Sequence, residues 1–533
     1  MKKLIILFFG LLFMASCDDF LEESPKSEMS IHQYFSDPSH AYNSVNRLYR
    51  DGVPSFFHAG SAYRGTTMML GGYMSGFFDN PEYKGQEVHV IECHNLTLTP
   101  VNISGFLDDV WTPCYVAIAR ANTAIKYIPD TPGLSDSEKN QLLGQAYFFR
   151  ALNYFHLVKI FGDVPLTIEP YESLEDIYLE RSSAEIVYNQ IINDLLFVID
   201  NSSLNNEPMP MNNYRISKGS AKALLADVYL TISGEAVNID KYADAANVAR
   251  DIITSGNYSL ISHDDEDLKK SAYNTIRTSN TEREYLYVIE YDAGIATNGW
   301  LPTYCYPNVA ATWGVFQYSI TNNSYKPVEE LLAVYDSNND LRIQEKQFFH
   351  SSLTYMENGE ERTREYEPSP YLWHDDEALF ETGRSGKDVA VYRLAEVYLI
   401  AAEAIARSEG VTSEAVEYLA EVRSRGYWQT EKSDIINLLS TLSEQEFVEE
   451  VWKERLRELP LEFRIWSDMQ RTRKYPLTDI NNPGEVDFVD LVGQTNVWGS
   501  TFEEKHLLFP ISNNERQRNP NLTQNPGYSD AIE

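Results

Sequence analysis

The sequence predicts an all-α fold: tetratricopeptide-like helix pairs forming an α-α superhelix, with long irregular loop insertions and minor β structure. Three observations carry this. Residues 217–254 and 388–425 each read as two helices joined by a short turn, and each stretch spans roughly the 34–40 residues of a tetratricopeptide-type unit. Several other helices open on recognisable caps. Between the pairs lies 260–385, rich in Tyr, Asn, Gly, Pro and Thr and without a sustained helical rhythm.

From Phe106, the apolar residues Val110, Trp111, Tyr115, Ile118 and Ile125 follow a three-four spacing that only Asn122 interrupts. Trp111 and Tyr115 are therefore expected in the core. Pro113 is expected near the first turn, where a missing N–H is harmless. Ser135 with Glu138 forms a capping box. The helix it opens runs through LLGQAYFFRALNYFHLVKIF to Gly162, a natural C-terminal stop. Ser182 with Glu185 opens the next helix, ending near Asp200. In the first pair, Ala223, Ala226, Ala243, Ala246 and Ala249 let two helices approach closely. DVAVYRLAEVYLIAAEAIAR and SEAVEYLAEVRSRG make the second pair. Ser443 with Glu446 opens a helix carrying Trp452, Leu456, Leu459 and Phe463. EREYLYVIEYD at 282–292 alternates like a strand. Residues 55–105 and 475–533 read as irregular.

The N-terminus predicts a location. Lys2 and Lys3 precede an apolar run from Leu4 to Met14, followed by Ala15-Ser16-Cys17. That order is a signal peptide with small residues before a cysteine. The run is too short to span a bilayer, which takes about 20 residues. Cys17 is expected to be the lipidated first residue of the mature chain, with 18–30 as a flexible polar tether. The rest is 43% apolar overall with no second long hydrophobic run, so lipid should anchor the chain rather than a spanning helix.

Net charge is −35, and losing the two signal lysines makes it about −37. Such acidity argues against nucleic-acid partners, whose phosphates need neutralising, and against charge-driven adhesion to anionic lipid. Beyond Cys17 there are Cys93, Cys114 and Cys305, in no zinc-binding spacing. An oxidising exterior would permit a Cys93–Cys114 disulfide, but buried free thiols are the expectation.

No catalytic signature stands out. HExxH, GxSxG and paired CxxC are missing. GRSGKD at 383–388 has Glu381 where a phosphate loop needs its first glycine, and Asp388 follows the lysine. DSNNDLR at 336–342 lacks the glycine and terminal glutamate of a calcium loop, and reads as a solvated turn. No enzyme activity, metal or cofactor is expected.

RALNYFHLVKIFGDVPL (150–166), RISKGSAKALLADVYL (215–230) and YADAANVARDIITSGNYSL (242–260) come in serial order with VYRLAEVYLIAAEAIAR (391–407), EEVWKERLRELPLEFRIWSDMQR (449–471) and FPISNNERQRNPNLTQNPGY (509–528). Together they resemble the SusD/RagB family of nutrient-binding outer-membrane lipoproteins, as does the SCDDFLEE start (16–23). Pro460 and Leu461 depart from it, standing where members often show a glycine-containing turn. The resemblance implies one domain over 31–533, with a helical framework mainly at 106–254 and 388–470 and ligand loops at 55–105 and 260–385. It implies capture of an oligosaccharide at the cell surface and delivery to a SusC-like TonB-dependent outer-membrane transporter. The alternatives are a surface glycoside hydrolase and a purely structural lid on the transporter.

Most matched motifs are expected to be structural. Arg150, Phe161 and Asp163 are placed where a helix ends and the chain turns. Arg393 and Glu396, one turn apart, are expected to pair on a helix face. Glu454, Arg455, Arg464 and Trp466 are expected to form a buried network. Aromatic residues make 13% of the chain, and a sugar face wants flat rings to stack on with polar groups for its hydroxyl rim. Two loop regions supply both. The first, 71–86, offers Tyr73, Phe78 and Tyr83, with glycines that leave its rings little to pack against. The second, 298–319, offers Trp300, Tyr304, Tyr306, Trp313 and Tyr318.

Overall fold

Eight long helices pack in sequence, each on the next. They are α3 (Ser104–Tyr127), α4 (Asp136–Phe161), α5 (Ala184–Asp200), α6 (Lys218–Ser233), α7 (Tyr242–Thr254), α8 (Leu394–Glu409) and α9 (Ser413–Gly426), with α10 (Glu444–Glu458) returning onto α8. Two further helices, α1 (Pro38–Asp51) and α2 (Thr67–Ser75), precede this series, and α11 (Ile465–Thr472) follows it. The computed structural model describes residues 31–53, 67–81, 88–171, 173, 177–262, 268–295, 301–304, 306, 308–316 and 325–532. The signal segment, Cys17 and the tether lie outside them.

Among the described residues the β structure is four small antiparallel pairs. β1 (Phe78–Asp79) pairs with β3 (Lys326–Pro327), β2 (Tyr285–Ile289) with β6 (Val389–Arg393), β4 (Phe349–Glu357) with β5 (Glu360–Pro370), and β7 (Lys474–Thr478) with β8 (Val486–Asp490).

The caps fold as the sequence predicts. Ser135 and Glu138 close a capping box at the start of α4, and Ser443 and Glu446 do so for α10. Gly162 ends α4 at φ +70°, in the left-handed region that suits glycine. α4 is buried on nearly every side from Leu142 to Val158, as a central helix must be.

Five details differ from expectation. Pro113 lies inside α3 and not in its first turn, because that helix already starts at Ser104. The cap of α5 is Ser183, while Ser182 bridges to Val164. The first helix of the second pair begins at Leu394: the β-branched stretch at 389–393 pairs with β2 instead. β2 alternates in sequence yet is buried at all five positions, since α6 and η-turn residues cover one face and β6 its edge. Arg150 sits in the middle of α4, where Nε and Nη2 grip Asp194 at 2.8 and 2.7 Å and Nη1 reaches Asn122 at 2.9 Å. That ion pair explains the polar interruption at Asn122. Asp163 does sit at the sharp turn, where it caps α5 by accepting from the Ala184 N–H at 2.8 Å.

Arg393 and Glu396 do not pair with each other. Arg393 faces Glu284, Glu458 and Glu462 at 2.6, 3.2 and 2.6 Å, whereas Glu396 receives Arg455 and Arg464 at 3.3 and 2.8 Å. The strand-to-helix junction after Arg393 splits their directions. Arg393 belongs to a buried ionic network. Glu458 also meets Arg342 and Arg425, Glu284 meets Arg425, and Glu454 joins Arg342 to Arg423. Glu454, Arg455 and Trp466 are buried as expected, while Arg464 is half-buried. Asp340 and Arg342 were expected in a solvated turn. Both are fully buried and paired at 2.7 Å, anchoring that turn to the network.

Cys93 and Cys114 are buried free thiols, whose pKa values burial pushes up. Trp111 is buried and Tyr115 packs on the same core. Among the described residues no helix is long and apolar enough to cross a membrane.

Candidate functional site

The apolar interior divides in two. The main core runs through the helical frame. A satellite core gathers Tyr306, Ala310, Trp313, Leu353, Tyr355 and Leu379. Its chain comes from three places: the short helix Asn308–Ala311 and its following turn, the β4–β5 hairpin, and residues 371–385.

The hairpin follows from its turn. Asn358 and Gly359 both adopt positive φ, +53° and +84°, the pattern of a tight two-residue hairpin turn. Glu357 then faces Glu360, Tyr355 faces Arg362, and Leu353 faces Arg364. Alternation along β4 turns Leu353 and Tyr355 into the satellite core and leaves Met356 outside, 65% exposed.

Beneath, hydrogen bonds fix the rings. His374 Nε2 donates to Asp376 at 2.9 Å, which leaves Nδ1 to accept from the Tyr306 hydroxyl at 2.6 Å. The Tyr366 hydroxyl meets His350 Nδ1 at 2.8 Å. Burial, and then the neighbouring His374, hold His350 well below the usual imidazole range. Burial raises the Tyr306 and Tyr366 hydroxyl pKa values. Burial thus favours the neutral forms of His350, Tyr306 and Tyr366, which hold the rings in place.

On this base sits an open concavity of about 610 Å³, lined by Trp313, Gly314, Thr354, Tyr355, Asn358 and Phe380 among others. Trp313 and Tyr355 stack with rings nearly parallel, 11° apart, at 6.4 Å between centroids. The Arg364 guanidinium lies over both rings, at 5.5 and 5.9 Å. The Tyr355 hydroxyl is closed off from solvent and has no hydrogen-bond partner among the described residues. Flat rings, an amide and a threonine hydroxyl thus share one wall, with the Arg364 guanidinium over the rings, and no group of three or more His, Cys, Asp or Glu that could hold a metal occurs among the described residues.

The sequence-predicted residues divide. Trp313 lines the concavity. Tyr306 is 1% exposed and supports it from below. Trp300 and Tyr318 lie outside the described residues, as does the side chain of Tyr304, whose backbone closes the helix Leu301–Tyr304. The first segment is corrected. Tyr73 and Phe78 are fully buried and contact Tyr325, with Phe78 stacked on that ring at 3.7 Å. The adjacent glycines do not expose these rings. A Cβ on Gly72 would stand 2.3 Å from the Tyr325 hydroxyl, and one on Gly71 2.9 Å from Trp466 Cβ, so the glycines let α2 press into the core. Tyr83 lies outside the described residues. No described residue of the first segment lines the concavity. Tyr355, Asn358 and Arg364 were missed. The Asn358-Gly359 pair between two alternating runs was the available signal.

Comparison with known proteins completes the description. Residues 198–528 match a family model described as the SusD family, and residues 72–230 match one described as starch-binding associating with outer membrane. The chain is 26% identical over 552 residues to the SusD-like protein P2 of Formosa agariphila, covering 99% of this chain and 100% of that one. A SusD superfamily protein of Parabacteroides distasonis superposes with a TM-score of 0.77 at 27% identity, covering 92% and 99% of the two chains. The surface glycan-binding protein A of Bacteroides thetaiotaomicron, solved in complex with laminarihexaose, superposes at 0.66 with 18% identity over 92% of this chain and 99% of that one.

Proposed function

The chain belongs to the SusD family, and we propose that it captures an oligosaccharide at the cell surface through the concavity around Trp313 and passes it to a SusC-like TonB-dependent transporter. The observation that carries this is the stacked Trp313–Tyr355 pair under Arg364, with Thr354 and Asn358 on the same wall. A pyranose presents apolar C–H faces to rings and hydroxyls to amides and guanidinium groups. A relative solved with laminarihexaose supports the same class of ligand. The outer-membrane association in one matching family description supports the location. Cys17, lipidated, would tether the protein there.

We place the function in binding without turnover. The His350 and His374 neighbourhood supports packing, and among the described residues the acidic lining residue of the concavity is Glu357.

Isothermal titration of the full chain against β-1,3-gluco-, malto- and xylo-oligosaccharides tests this. Binding of at least one series is expected, with the ligand recovered intact. Trp313→Ala should weaken it about tenfold, near 1.4 kcal/mol, as loss of one stacking ring implies. No heat from any oligosaccharide, or equal affinity in Trp313→Ala, would remove the proposal. Co-purification with a co-expressed SusC-like transporter tests the delivery step separately.

A further inference from the structure

A second cavity, of about 480 Å³, opens in the helical frame between the end of α4, the start of α5, α11 and the C-terminal stretch at 507–526. Four cations line it, Lys159, Arg181, Arg471 and Arg473, against one acid, Asp163. Lys159, Arg181 and Arg473 line it, and none has a carboxylate within 4 Å among the described residues. The other cation on its wall, Arg471, is neutralised by Glu403 and Asp468.

The three unneutralised cations differ in what holds them. Arg181 gives its N–H groups to the carbonyls of Asp163, Phe161 and Thr523 and to the Asn525 amide. Its fork is occupied and its charge is not. Lys159 places Nζ 4.1 Å from the centre of the Phe155 ring. Arg473 makes no side-chain hydrogen bond, and its Nη1 is closed off from water. Its backbone stands at φ +56°, a conformation that costs a Cβ-bearing L-residue about 1 kcal/mol and that glycine would accept freely. That conformation ends α11 as its C-terminal cap and brings the Arg473 side chain to a recess that also holds Lys159 and Arg181. In a chain of net charge −35, where buried guanidiniums elsewhere are matched by carboxylates, this is a site for a counter-charge that arrives from outside.

We propose that this cavity is a second ligand site, taking a compact organic oxyanion — a carboxylate or sulfate on a small carbon frame — with Arg473 as its anchor. The guanidinium edge matches two oxygens of such a group at once. Val237, Leu508 and Pro526 supply an apolar wall for the carbon frame. The volume falls in the range of small-molecule pockets, about 300–1,000 Å³. The site shares no lining residue with the concavity around Trp313, so its failure and the failure of the glycan reading are separable.

Titration of the full chain with D-galacturonate, sodium sulfate and D-galactose tests it. Galacturonate or sulfate is expected to bind and galactose to give no heat. Galacturonate tighter than sulfate identifies a charged sugar as the source, and sulfate alone identifies a free inorganic oxyanion. Arg473→Gly suits the left-handed backbone and should fold with an unchanged or higher melting temperature while weakening the anion about tenfold. Lys159→Gln should weaken it as well, and Trp313→Ala should leave it unchanged. No binding of either anion at millimolar concentration, galactose binding as tightly as galacturonate, or full affinity in Arg473→Gly would overturn the inference.

Discussion

Glu284→Gln is the sharpest probe of what holds the frame together. Glu284 is fully buried at the start of β2. Oε1 lies 2.6 Å from Arg393 Nη1, and Oε2 lies 2.6 Å from Arg425 Nη1 and accepts from the Ile261 N–H at 2.8 Å. Burial alone would raise its pKa, but Arg425 and Arg393 hold it below the usual carboxylate value. Glutamine keeps the volume and removes the charge. Its amide donors then face guanidinium donors. Breaking a buried pair by removing one partner costs about 3–5 kcal/mol. Arg393 and Arg425 keep Glu458 at 3.2 and 2.7 Å, which sets the loss at the lower end, about 3 kcal/mol. Unfolding entropy near 2.1 cal/mol/K per residue gives about 1 kcal/mol/K for a chain of this length, so the melting temperature should fall by about 3 °C. Differential scanning calorimetry of the full chain at pH 7 reads this. Lys432→Met is the control: its Nζ meets the half-exposed Glu417 and Glu421, and an exposed pair contributes less than about 1 kcal/mol. Equal shifts in the two variants would refute the idea that burial makes the network structural.

Phe78→Ala should cost about 3–5 kcal/mol of stability, read by chemical denaturation, and leave the affinity of correctly folded protein for glycan unchanged, because Phe78 packs on Tyr325 away from the concavity. Arg364→Ala should lower glycan affinity about three- to tenfold with little change in melting temperature, since Arg364 is 42% exposed. Stability should fall in two acid steps. His94, held neutral by burial, has a folded pKa of about 4 against 6.5, so the folded state binds fewer protons and stability drops as pH falls from 6.5 towards 4. Burial would raise Glu454, but Arg342 and Arg423 bring it down to about 2 against 4.5; its contribution is full above 4.5 and is lost as pH falls from there towards 2. Melting curves at half-unit pH intervals check both steps, and His94→Gln should flatten part of the first.

The sequence carried the helical frame because its signals are local. Ser135–Glu138 and Ser443–Glu446 each lie within one turn, and a cap three residues long reads the same in any context. Strand 389–393 was hidden because VAVYR continues an apolar pattern into a true helix, and only its distant partner, β2, decides between the two. Ring direction was hidden for a related reason. A glycine beside a ring is consistent with an exposed ring and with a backbone pressed against a neighbour, and at Gly72 the neighbour is Tyr325, some 250 positions away. The buried network was half legible: residue types at 454, 455 and 464 suggested it, but Glu284 meets Arg425 across 141 positions, beyond any periodicity.

One consequence follows from the way β2 and β6 meet. Tyr285 pairs with Arg393 and Ile289 with Val389, so the long excursion between these strands leaves and re-enters the frame at adjacent points, while α7 packs directly on α8 as though nothing intervened. The excursion is a cassette with a clasped base. Closure entropy grows only slowly with loop length, so its outer part, the β4–β5 hairpin, can lengthen or shrink at little cost to the superhelix, provided Asp340 and Arg342 keep their places in the buried network.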